Sequence, residues 1–167
     1  MNTKKIFKPR PSTGWIWAAI IGMILLGVGL NRLIATGFAG PYMLMILVTV
    51  PIGIVFLLIA VFFPAMRYEI EGNHLTLTYG PLLRYIIDVE QIKSIRRRDL
   101  DISLVSSFRW PGLAIFSVLY PEIGIVKMCA TAASTGILLI ETGSTKYGLT
   151  PADEDEFVAE LRGRIKK

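Results

Sequence analysis

The chain has 167 residues, 53% of them hydrophobic, a mean hydropathy of +0.54, and 18 Lys and Arg against 13 Asp and Glu. A disordered chain is excluded, and a purely soluble domain is not expected, because a globular core of this length cannot hide so much apolar material. The net charge of +5 lies wholly in residues 1–66, which hold Lys4, Lys5, Lys8, Arg10 and Arg32 and no acid, while residues 67–167 hold 13 basic and 13 acidic side chains. The charge-balanced part offers no electrostatic footprint for DNA or RNA, so no nucleic-acid partner is expected.

Residues 11–31 carry no charge, and as a helix they cover about 31 Å, the thickness of a bilayer core. Trp15 and Trp17 stand at the start, with four basic residues just outside. A second uncharged stretch, 33–66, is too long for one span, and Thr36, Gly37, Gly40 and Pro41 mark a turn near its start. The pattern predicts a transmembrane hairpin of helices over roughly 15–35 and 42–64. With the basic cluster at one end and Arg32 alone in the connection, the positive-inside rule puts both termini in the cytoplasm of a two-span cell-membrane protein. Cleavage as a signal peptide is not expected, since the apolar run is long and a second span follows at once. Ala18, Gly22 and Gly29 share a face, as do Thr49, Gly53 and Ala60, and the two faces are expected to pack on each other. Pro51 is expected to kink the second helix.

After Met66 the period changes to that of short strands. Residues 67–71 and 74–79 read as a hairpin around Gly72-Asn73, and 85–89, 92–100, 123–130, 137–141 and 145–149 follow as further strands. Phe108-Arg109-Trp110-Pro111-Gly112 introduces the most apolar stretch outside the hairpin, either a core strand or a segment touching membrane or partner. Thr150-Pro151-Ala152-Asp153 reads as a capping-box-like helix start. Phe157, Val158, Leu161 and Ile165 then form an apolar stripe, with acids in the first turn and bases in the last. The division expected is a basic cytoplasmic flank (1–14), a transmembrane hairpin (15–66) and a cytoplasmic β domain (67–167).

Short strands followed by one helix, together with Tyr147-Gly148-Leu149-Thr150-Pro151 and the acidic run leading to Phe157, resemble the end of bacterial PH-like (pleckstrin-homology-like) domains. Arg109-Trp110-Pro111-Gly112 and residues 136–142 are similar to their central part. The resemblance covers roughly 67–165. It implies an α+β membrane protein whose hairpin precedes an antiparallel PH-like β barrel or sandwich capped by a C-terminal helix. The first turn, Glu71-Gly72-Asn73-His74, lacks the basic cluster of phosphoinositide-binding PH domains, so no such site is carried over.

No nucleophile motif, phosphate loop or metal cluster is present, and neither catalysis nor a cofactor is expected. Cys129 reads as a small buried side chain and His74 as a turn residue. Asp153, Glu154, Asp155 and Glu156 are explained by their place in the first helical turn. Candidate contacts for lipid or partner are Arg96 and Arg98, on one face of a strand, and Phe108, Arg109 and Trp110. The function expected is a non-enzymatic, membrane-anchored scaffold for a protein partner, with anionic-lipid or small-ligand binding through the basic strand as the alternative. No oligomeric state follows from the sequence.

Overall fold

The structure, a computed structural model, describes residues 4–38, 41–101, 109–110 and 112–165. The chain forms two compact units: Trp15–Phe63, and Met1–Gly14 together with Pro64–Lys167.

The second unit begins before the first. Lys5–Phe7 is a strand (β1), ahead of helices α1 (Gly14–Thr36) and α2 (Met43–Phe62), which are long and apolar enough to cross a membrane, with mean hydropathies of 2.0 and 3.0. Their small-residue faces meet each other. A Cβ at Gly22 would lie within 3.0 Å of Leu57 and the Gly53 carbonyl, and one at Gly53 would strike Leu26. A Cβ at Gly29 would strike Thr49 and Val50. Outward side chains such as Leu44, Leu47 and Ile54 leave an apolar surface. Pro51 lies inside α2, which continues to Phe62.

A 3₁₀ turn, Phe63–Ala65, leads into β2 (Met66–Glu71), β3 (His74–Tyr79) and β4 (Leu83–Asp88). These pair antiparallel, and β1 adds to the free side of β2 with Lys5 opposite Ile70 and Phe7 opposite Tyr68, making a four-stranded sheet. Tyr68, Ile70, Leu75, Leu77 and Tyr79 turn inward with the period of two that the sequence shows. Residues 4–10, which read as a basic flank, are thus built into the β domain. Phe7 is buried with its ring 5.1 Å from that of Phe157, and Arg10 N–H donates to the Thr150 carbonyl at 2.7 Å.

The second sheet holds β5 (Ser94–Arg98), β6 (Arg109–Trp110), β7 (Leu113–Tyr120), β8 (Gly124–Ala130), β9 (Ile137–Glu141) and β10 (Lys146–Leu149), in the order β5-β9-β10-β8-β7-β6. One pairing in this otherwise antiparallel sheet is parallel. The chain inserts β10 between β8 and β9, so β10 runs parallel to β8. Gly148 leaves room there for the Met128 side chain, whose sulfur a Cβ would meet. The two sheets pack face to face as a sandwich, not a closed barrel. The Tyr68 hydroxyl donates to the Cys129 carbonyl at 2.8 Å, and the rings of Tyr85 and Tyr147 meet at 5.9 Å.

Helix α3 (Glu154–Ile165) closes the domain with Phe157 and Leu161 fully buried. It starts later than the sequence suggests. Thr150 does not cap it: its hydroxyl accepts from Thr131 N–H at 2.8 Å, and Pro151 bridges to Pro9. The Asp153 carbonyl instead accepts the first helical bond, from Phe157 N–H at 3.0 Å.

Candidate functional site

Strand β5 ends its sheet, pairing with β9 alone among the described residues. Arginines suit such a place, because charged side chains on an edge strand discourage uncontrolled pairing with other chains. Strand alternation separates their roles. Arg96 and Arg98 stand opposite Leu139 and Ile137, on the face that carries the cluster of Val118, Val126 and Met128. Ile95 and Arg97 take the other face, toward α3.

Between β5 and α3 runs a groove of about 330 Å³ floored by Ile95, Leu138, Val158 and Ala159, with Arg97, Arg162, Glu154 and Asp155 on its rim. It shares Arg97, Glu154 and Asp155 with a neighbouring depression of about 470 Å³ that Arg10, Asp153 and Glu156 also line. Two guanidiniums converge here on one carboxylate: Arg10 at 3.6 Å and Arg97 at 3.9 Å from Glu154. On the opposite face Arg98 pairs with Glu122 at 2.6 Å, both half exposed. Arg96 is exposed and makes no ion pair among the described residues.

Of the five residues singled out in the sequence, the four that are described fall on the two end strands of the second sheet's order. Arg96 and Arg98 sit on β5 at one end of the sheet. Arg109 and Trp110 form β6 at the other end, where their backbone is described and their side chains are not. Phe108 lies outside the described residues. Gly112, which follows β6, serves the structure: its carbonyl accepts from Ser12 Oγ, which in turn accepts from Gly14 N–H at 3.0 Å at the start of α1. Gly112 has φ +85°, and a Cβ there would fall on the Gly14 backbone. The sequence points to Arg96 and Arg98 but not to the groove, whose floor joins β5, β9 and α3. The helical stripe through Val158 is the one signal that indicates it.

Elsewhere the polar groups are structural. Cys129 is buried, and burial pushes its thiol well above the usual range, leaving a neutral, unreactive group. Burial likewise raises the Tyr68 phenol, which stays protonated and bridges the Cys129 carbonyl and Thr150 N–H. Among the described residues no group of three or more His, Cys, Asp or Glu is placed to hold a metal.

Comparison with curated proteins and with solved structures finds no match. A family model described as "Bacterial PH domain" matches residues 66–165, the span from the first strand after the hairpin to the end of α3. This match covers well over half of the chain and coincides with the sandwich and its closing helix, and the chain therefore belongs to the bacterial PH domain family.

Proposed function

We propose that the chain is a non-enzymatic, membrane-anchored binding module whose PH-like domain faces the cytoplasm and engages an extended segment of a partner protein along β5. The observation that carries this reading is a strand edge that no other described strand pairs, directly beside an apolar-floored groove. Addition of a strand to such an edge supplies main-chain hydrogen bonds, and the neighbouring groove receives alternate side chains. The apolar hairpin would tether the domain to a membrane, which favours a partner resident in, or recruited to, the same membrane.

A photo-crosslinking side chain at position 97 of the full-length protein, in its native membranes, is expected to form a discrete adduct with a second polypeptide. The same group at the outward position 86, on β4, is not. Equal adducts at both positions, or none at 97, would count against the edge as the binding site.

The alternative, an anionic-lipid surface, draws on the exposed Arg96, which makes no ion pair among the described residues. It expects the protein in a nanodisc of neutral lipid to capture anionic but not neutral vesicles, and to lose this in R96E/R98E. The full chain is needed, because a fragment starting at 67 would lack β1.

A further inference from the structure

We infer that the segment received by β5 alternates acidic and apolar residues; this rests on the edge reading above and specifies the partner's chemistry. A strand laid against β5 presents its side chains alternately to the two faces of the sheet. On the α3 side they meet Ile95, Leu138, Val158 and Ala159, a floor that rewards apolar side chains. On the opposite side they run beside Arg96 and Arg98, which stand two residues apart as the same-face period requires. Cross-strand neighbours of opposite charge stabilise such a pairing, and like charges oppose it. The face already takes a carboxylate: Arg98 holds the half-exposed Glu122 at 2.6 Å, a pair that an incoming acid can replace.

The remaining charges narrow the occupant further. On the α3 side Glu154 and Asp155 stand on the rim with Arg97 and Arg162, and Asp153 and Glu156 line the neighbouring depression with Arg10. This side therefore carries no excess of positive charge to draw a uniformly anionic surface such as a phosphatidylserine bilayer, whereas its apolar floor suits a peptide with apolar residues there. A second copy of this chain is also a poor source. In its own alternating stretch Glu69-Ile70-Glu71, Glu69 and Ile70 are paired on both sides, by β1 and β3, and Glu71 is paired by β3. In Asp99-Leu100-Asp101, Leu100 is buried and Asp99 accepts from Gly136 N–H at 2.6 Å. The occupant is therefore a segment of a different protein.

Binding of fluorescent peptides to the full-length protein in neutral-lipid nanodiscs tests this. A short peptide alternating glutamate and valine is expected to bind at least about tenfold more tightly than one of the same composition in two blocks, and than one alternating lysine and valine. In R96E/R98E the order of the glutamate and lysine peptides is expected to reverse. Both positions are exposed on an edge, and unchanged thermal unfolding of the variant would show that the reversal is not misfolding. Equal binding of all three peptides, or binding unaffected by R96E/R98E, would overturn the inferred chemistry even where crosslinking at 97 upholds the edge. Crosslinking only between copies of the chain would overturn the choice of partner. No peptide binding together with no adduct at 97 would overturn both readings.

Discussion

The Tyr68 hydroxyl ties the two sheets together at a point without water access: it donates a hydrogen bond to the Cys129 carbonyl and accepts one from Thr150 N–H. Removing it strands a buried carbonyl and a buried amide, each costing about 1–3 kcal/mol. Tyr68→Phe is therefore expected to lower unfolding stability by roughly 2 kcal/mol without changing binding at β5, read from thermal unfolding of the solubilised protein. A loss below about 0.5 kcal/mol would mean the network is satisfied in another way. Gly112 is a second such position. A side chain there must adopt a left-handed φ and also displace the Gly14 backbone, so Gly112→Ala is expected to cost about 1–3 kcal/mol and to loosen the junction with α1. A variant as stable as the parent in the same unfolding measurement would refute that. The sequence shows Gly112 as a turn glycine but hides Tyr68, because a tyrosine at an inward strand position looks the same whether or not its hydroxyl finds a partner.

At the scale of elements, β1 departs most from what the sequence announces. A three-residue strand among lysines has too few positions for a period of two to register, and only Ile6 and Phe7 hint at it. The same charges that read as a topology signal also fasten the strand: Lys4 to Glu69 at 3.1 Å, and Lys5 to Glu156 at 2.8 Å and Glu160 at 3.3 Å. Their titration gives the attachment a pH window. Burial would raise the Glu69 carboxyl, but its bond from Lys4 and the charges of Arg67 and Lys4 outweigh this and hold it below 4.5. Glu160 is held low chiefly by Arg164, and Lys5 is held above 10.5 chiefly by Glu156. Lowered carboxyls contribute stability above 4.5 that is lost as pH falls through their folded values, and a raised amine contributes stability below 10.5 that is lost as pH rises through its own. Amide protection of β1, corrected for intrinsic exchange, is expected to be flat between these limits and to fall outside them. Loss of protection near neutrality would show that these pairs do not control the strand. The hairpin, the strands from β2 to β5 and the stripe of α3 are legible because each repeats its period over enough residues. The parallel insertion of β10 is not, since a local period carries no information about which neighbour a strand will find.

For the whole molecule, β1 and β2 flank residues 14–63 in sequence and pair with each other in space. In a membrane this pairing is compatible with an even number of crossings and incompatible with a single span, since one span would leave the two strands on opposite sides. Two helices long and apolar enough to cross would supply that even number, and the excess of Lys and Arg in residues 4–10 over the lone Arg32 of the connection is the ground on which the cytoplasmic side is proposed for both flanks. The candidate site inherits its location from this arrangement, since β5 and α3 belong to the same unit as β1. Single cysteines test the orientation cleanly, because the native Cys129 is buried with its thiol raised and should contribute little labelling of its own. Phe38→Cys, exposed after α1, is expected to react with a membrane-impermeant maleimide added to intact cells. Glu71→Cys, exposed at the end of β2, is expected to react only after permeabilisation. The reverse pattern would keep the hairpin but turn the domain and its β5 edge outward, toward extracytoplasmic partners. Equal labelling of both in intact cells would mean that residues 14–63 do not cross the bilayer, and the anchoring on which the proposed function rests would fall with them.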